Sequence, residues 1–168
     1  MPWKKILCRR ESIEIHGIPE SVSDDNLEET CLNVLEEIGV GKIKPYRVHA
    51  CHRLKNRKKT IIRFVSRKNA DSALHHRKNL KDLDMKKFGG FRGDEKLFIN
   101  ESLCPPMQFL HYLVRTAHKN KNIHAFNLWK GRLTVQVAED GLKVPIRHID
   151  DLIALEIATE DCRDKFIV

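Results

Sequence analysis

The chain has 168 residues, a formal net charge of +8 and 41% hydrophobic residues, enough for one ordinary domain or two small ones with buried cores. No apolar run approaches the roughly 20 residues that a membrane helix needs, and the opening Met1-Pro2-Trp3-Lys4-Lys5-Ile6-Leu7-Cys8-Arg9-Arg10 lacks the apolar stretch and small-residue cleavage site of a secretory signal. An intracellular protein, cytoplasmic or nuclear, is therefore expected. The five cysteines (Cys8, Cys31, Cys51, Cys104 and Cys162) are scattered without a Cys-x-x-Cys pair, which points to reduced thiols and away from a zinc ribbon or dithiol site.

The charge is unevenly placed. From residue 11 to 41 every charged side chain is acidic, whereas residues 42–92 carry seventeen lysines and arginines against only Asp71, Asp82 and Asp84. Such a field attracts polyanions and gains free energy by releasing their counterions.

Ser12 to His16 alternates, with Ile13 and Ile15 on one side and Glu14 and His16 on the other, which predicts a half-buried strand. After Gly17-Ile18-Pro19-Glu20, Ser23 predicts a helix N-cap, and Leu27, Cys31, Val34, Leu35 and Ile38 follow at helical spacing until Gly39. The acids Asp24, Asp25, Glu28 and Glu29 suit the positive end of that helix dipole. Strands are predicted over 47–54 and 60–65, with Ile62 and Phe64 inward and Lys59, Ile61 and Arg63 outward. Ser66 caps a second helix burying Ala70, Ala73, Leu74 and Leu80, and a glycine-containing stretch, 86–96, leads to a strand at 97–100. The order β-α-β-β-α-β predicts a split βαβ domain, antiparallel, with helices on one face and the other face open.

Cys104-Pro105-Pro106 marks a break. Phe109, Leu110, Leu113, Val114 and Ala117 then give an amphipathic helix, and Trp129-Lys130-Gly131-Arg132 reads as a hairpin between strands at 123–128 and 133–137. A strand at 143–149 and a helix from Asp150 complete a small α+β unit. The expected organisation is an N-terminal extension (1–11), a split βαβ domain (12–101), a small α+β domain (102–158) and a tail (159–168).

The split βαβ arrangement is that of RNA-recognition motifs, where aromatics on the first and third strands stack bases. Here those outward positions hold Glu14, His16, Lys59, Ile61 and Arg63, so His16 and Arg63 are the candidates to lie against a base, and phosphate contacts carry the rest. Lys55, Arg57, Lys58 and Lys59 in the β-β connection form a second cationic group. Lys86, Lys87 and Arg92 flank Gly89-Gly90, which reads as a flexible tether. Arg115, Lys119, Lys121, Lys130 and Arg132 would continue the basic track in the second unit. Single-stranded RNA is the expected partner, with single-stranded DNA as a second candidate, bound with weak sequence selectivity.

Gly17-Ile18-Pro19-Glu20, His52-Arg53, Thr60-Ile61-Ile62-Arg63-Phe64, Asn100-Glu101-Ser102-Leu103 and Trp129-Lys130-Gly131-Arg132-Leu133, in that order, resemble the nucleic-acid-binding part of LINE-type retrotransposon first-reading-frame proteins over residues 12–149. The resemblance implies an atypical RNA-recognition motif followed by a C-terminal domain, acting as a nucleic-acid chaperone on the element's own transcript. Carried over by position, Arg53 and Arg63 would be basic residues of the sheet face, and the helix around Arg115 would supply contacts of the second domain. The family's coiled coil is absent from this chain, so self-association through one is not expected.

An enzyme is not expected. His16, His49, His52, His75 and His76 lack a His-x-x-x-His, paired-carboxylate or nucleophile motif, and His75 and His76, adjacent on a helix, point about 100° apart. No metal, cofactor or membrane partner is implied. The competing reading is a protein-interaction module derived from such a domain that no longer binds nucleic acid.

Overall fold

The computed structural model describes residues 9–54 and 58–166. The chain divides into two compact units, Arg9–Ser102 and the segment from Leu103 onward.

In the first unit β1 (Ser12–His16), β2 (Val48–Arg53), β3 (Lys59–Phe64) and β4 (Phe98–Glu101) form one sheet in the order β2-β3-β1-β4. All neighbours are antiparallel. α1 (Asp24–Leu35) and α2 (Arg67–His76) cover one face. This is the split βαβ arrangement that the element order predicts. The alternation of β1 explains it: Ile13 pairs across the ladder with Ile62, and both sides of that pair are fully buried. Phe64 and Ile99 extend the same apolar surface, and Leu27, Cys31, Val34 and Leu35 of α1 with Ala70, Ala73 and Leu74 of α2 close it. Each large side chain buried in this way contributes roughly 1.5–3 kcal/mol.

Local chemistry sets the boundaries. Ser66 accepts a hydrogen bond from the Lys68 amide and caps α2. α1 continues into a widened turn, Glu36–Val40, broken where Gly39 takes φ 104°. Gly17, at φ 93°, turns the chain out of β1 so close to β4 that a Cβ would stand 2.2 Å from the Lys96 carbonyl oxygen. Only glycine fits there.

The stretch 86–96 differs from the tether expected of it. Met85 and Phe88 are buried, the Phe88 and Phe91 rings stand 5.7 Å apart, and the Ser21 hydroxyl donates to the Gly90 carbonyl. Its far end is tied by the Glu95 carboxylate, which accepts from the amides of Arg92 (2.6 Å) and Gly93 (2.7 Å). Those amides hold the Glu95 carboxyl below its ordinary pKa. The aromatics between the glycines anchor a segment that composition alone marks as loose.

In the second unit α3 (Pro105–Lys119) buries Met107, Leu110, Val114 and Ala117 in one core with Leu133, Val135 and Ile146 of a three-stranded antiparallel meander. The strands are β5 (Ala125–Trp129), β6 (Arg132–Gln136) and β7 (Lys143–Ile146). Lys130 and Gly131 both take positive φ (53° and 71°), the two-residue turn that matches strand twist. α4 (Ile149–Ala154) is capped by Asp151, whose carboxylate accepts from the His148 amide at 2.9 Å, while the His148 ring donates from Nδ1 to the Asp150 carboxylate at 2.9 Å. The expected tail contains a further helix, α5 (Cys162–Phe166): Phe166 is buried with its ring 4.7 Å from that of His148, and Arg163 donates to Asp150 at 2.7 Å.

Candidate nucleic-acid interface

The register of the first sheet decides which side chains share the face away from α1 and α2, and that face is not open at its centre as expected: Ser12 (3%), Glu14 (7%) and Ile61 (9%) are buried there, so β1 is buried on both sides and exposure is confined to the margins. His16 pairs with Phe98 on one side and Lys59 on the other, Glu14 with Asn100 and Ile61, and Ser12 with Arg63. Directly paired residues project from the same side of a sheet with Cβ atoms about 5 Å apart. Phe98, His16 and Lys59 therefore form one row across three strands. Phe98 is 58% exposed. A large apolar ring left in water on a sheet face, beside an imidazole and an ammonium, is the chemistry that stacks a base and meets its phosphate.

The centre of the face is acidic. Glu14 is only 7% exposed, and its carboxylate lies 3.3 Å from His16 Nε2 and 3.4 Å from Lys59 Nζ. Arg63, on the same face and well exposed, holds Glu11 at 3.2 Å. Such exposed pairs are worth less than about 1 kcal/mol. The Arg63 guanidinium can therefore exchange Glu11 for a phosphate at little cost, whereas Lys59 is tied to a carboxylate that is itself nearly buried.

Arg53 is not on this face. It pairs with Thr60, which puts it on the helix side, and its side chain is 4% exposed. The guanidinium donates to the carbonyls of Ile18 (3.1 Å), Pro19 (2.9 Å) and Val22 (2.7 Å), and Nε stands 3.3 Å from Asp24 Oδ1 without hydrogen-bond geometry. Five donors in a fixed fork suit this task of clamping three carbonyls of the loop before α1. The sheet-face placement of Arg53 carried over by resemblance is corrected: strand alternation sends residue 53 to the opposite side from His52.

The remaining predicted cations disperse. Lys58 is exposed beside the start of β3, and Lys55 and Arg57 lie outside the described residues. Lys86 lies along Gly93, Lys87 pairs with Glu37 at 3.3 Å, and Arg92 is exposed. Arg77, Lys78 and Lys81 follow α2 in a short helical turn on the helix side of the sheet. The basic middle segment is thus divided between strand and helix sides, because α2 turns its cations away from the sheet it covers.

In the second unit, Arg115 and Lys119 lie on the exposed side of α3 with Tyr112, at spacings of three and four residues that align them in one stripe. Lys121 closes α3 with φ 61°. On the side of the meander away from the core, Trp129 pairs with Arg132, and Lys130 Nζ sits 5.8 Å from the Trp129 ring centroid. Trp129, 38% exposed, is thus an aromatic between two cations and not a core residue. Phe126 faces the core, edge-on to His111 and His118. Burial, with Arg115 nearby, holds the His111 imidazole below its usual pKa.

Sequence reasoning missed Phe98 and Tyr112. Phe98 was legible: in Leu97-Phe98-Ile99 the flanking aliphatics take the core side, which leaves the ring outward. Tyr112 carried a similar signal, its helical phase matching that of Arg115 and Lys119.

Among the described residues no group of three or more His, Cys, Asp or Glu side chains could hold a metal ion, and no described helix is long and apolar enough to cross a membrane.

The first unit is by strand order a split βαβ sandwich whose face away from the helices is buried at Ser12, Glu14 and Ile61 and carries an exposed aromatic, Phe98, and an exposed cation, Arg63, at its margins, with His16 and Lys59 partly exposed. No family model matches the chain, and no curated protein matches it. Among solved structures it is similar to the C. elegans NONO-1 homodimer, with 15% identity and a TM-score of 0.34 over 92% of this chain. The match covers 57% of that chain, less than two thirds of its length. A likeness of this degree carries no argument, and the fold assignment rests on strand order and register.

Proposed function

We propose that this chain is a single-stranded nucleic-acid-binding protein, RNA foremost, that stacks bases on exposed aromatics and meets phosphates with the cations beside them. It performs no catalysis. The observation that supports this best is the row Phe98–His16–Lys59 at the margin of the first sheet's face away from α1 and α2, with Phe98 58% exposed. The second unit adds Trp129 between Lys130 and Arg132, and the Tyr112–Arg115–Lys119 stripe on α3. Stacking tolerates any base and phosphate contacts carry no sequence code, so binding is weakly selective. On the resemblance of its short ordered motifs to LINE first-reading-frame proteins, the chain derives from such an element and acts as a nucleic-acid chaperone. The experiment is a competition between single-stranded and duplex oligonucleotides at two ionic strengths. Single strands should win at both, and log affinity should fall with log salt by about 0.7 per neutralised phosphate.

The second reading, an interaction module without nucleic-acid binding, is favoured by the internal pairing of Lys59, Arg63 and Lys87 with acids of the same chain. Equal retention of single and double strands, or none of either, would support it.

A further inference from the structure

The last turn of α3 closes with two hydrogen bonds, Asn122 N–H to the Ala117 carbonyl (2.9 Å) and Lys121 N–H to the His118 carbonyl (3.0 Å). This closing motif needs a left-handed residue, usually glycine or asparagine. Here the residue is Lys121, at φ 61°. Lysine adopts this conformation at a cost in free energy that glycine would not bear.

Lys121 lines a shallow cleft of about 600 Å³, open to solvent over much of its extent. Lys119, His118 and His124 line it too, so both lysines and two imidazoles meet one concavity. Val137, 41% exposed, gives it apolar surface, Ile123 beneath it belongs to the core at 4% exposed, and Glu139 is the one carboxylate among its lining residues. The frame is fixed. The His124 amide donates to the Gln136 and Val137 carbonyls at 3.0 Å, and the turn bearing Glu139 is held by Gln136 Nε2 on the Glu139 carbonyl (2.6 Å) and by Gly141 N–H on the Ala138 carbonyl (2.9 Å).

Two cations, apolar wall and one acceptor carboxylate are three separate requirements. A bare anion uses the first and is repelled by the third. A nucleotide uses all three. We propose that this cleft takes one nucleotide of the bound strand, the phosphate on Lys119 and Lys121 and the base against the exposed Val137. Glu139 accepts from the amino and imino groups of guanine, which uracil cannot offer in that pattern. The inference rests on the nucleic-acid reading above and adds to it a single position of base preference.

The test is an NMR titration of the full chain with guanosine 5′-monophosphate, uridine 5′-monophosphate and inorganic phosphate. Guanosine monophosphate should move the amide signals of residues 118–124 and 136–139, at a concentration about tenfold below that needed for the uridine nucleotide. Glu139→Gln should narrow that preference, and Lys121→Gly should weaken both nucleotides. Equal responses to phosphate and to guanosine monophosphate would overturn the proposal, as would signals moving only outside the cleft. Binding of a single-stranded oligonucleotide is measured alongside. If the oligonucleotide binds and the mononucleotides leave the cleft untouched, the pocket assignment fails alone; if guanosine monophosphate fills the cleft and no oligonucleotide binds, the strand-binding reading fails and the pocket stands.

Discussion

Glu14 and Lys59 face each other across β1 and β3 on the side of the first sheet away from the helices, carboxylate to ammonium at 3.4 Å, with Glu14 almost buried. The pair places a negative charge where a nucleic-acid strand would cross and holds back a cation that would otherwise meet it. Glu14→Gln keeps the shape and removes the charge. We expect tighter binding of single-stranded RNA and a salt dependence steeper by about 0.7, one additional phosphate neutralised. Affinity measured at several salt concentrations checks both.

Phe98 should act differently. Loss of its ring by Phe98→Ala should cost about 1–3 kcal/mol of binding, the worth of one stacked base, while the salt slope stays unchanged. A ring on an exposed sheet face is not part of the core, so thermal unfolding should shift little.

Arg53 is a prediction about folding. Arg53→Met would remove the guanidinium donor from the carbonyls of Ile18 and Val22 and one of two donors from that of Pro19, which also accepts from the Val22 amide, a loss of about 2–4 kcal/mol by urea unfolding. Binding per folded molecule should be unaltered, because the guanidinium faces the loop before α1 and not the face away from the helices.

Lys121→Gly should raise stability by about 1 kcal/mol, since glycine takes the left-handed position without the strain that lysine bears. The same substitution removes a cation from the cleft, so stability and nucleotide affinity should move in opposite directions.

The second unit should loosen on acidification. The Asp150 carboxyl is held below its ordinary pKa, first by its hydrogen bond with Arg163 and further by His148. A depressed carboxyl contributes stability that is present above the unfolded value and lost as pH falls through the folded one. His111, depressed chiefly by burial, follows the same sign from the imidazole range downward. Amide signals around His111 should therefore shift first as pH falls below neutral. Those of α5 should follow in the acid carboxylate range.

Much of the fold was legible because period and burial agree. Ile13 and Ile15, or Ala70, Ala73 and Leu74, can be satisfied in only one way. The 86–96 stretch was misjudged because its glycines and lysines outweigh in composition the three side chains, Met85, Phe88 and Phe91, that hold it. The site was harder to read than the fold. Charge along a sequence does not say which side of a sheet receives it, and the basic middle segment divides between β3 and the turn after α2. Arg53 shows the same limit at one residue. The resemblance carried it to the sheet face, while the register gave it three carbonyls.

The measurement that bears most directly on the central claim is photo-crosslinking of a 4-thiouridine single-stranded RNA to the protein, followed by peptide mapping. The account predicts crosslinks at Phe98 and His16 on the first sheet and at Trp129 on the second. Crosslinks confined to α2 and the turn after it, or none above background while the protein is folded, would contradict it.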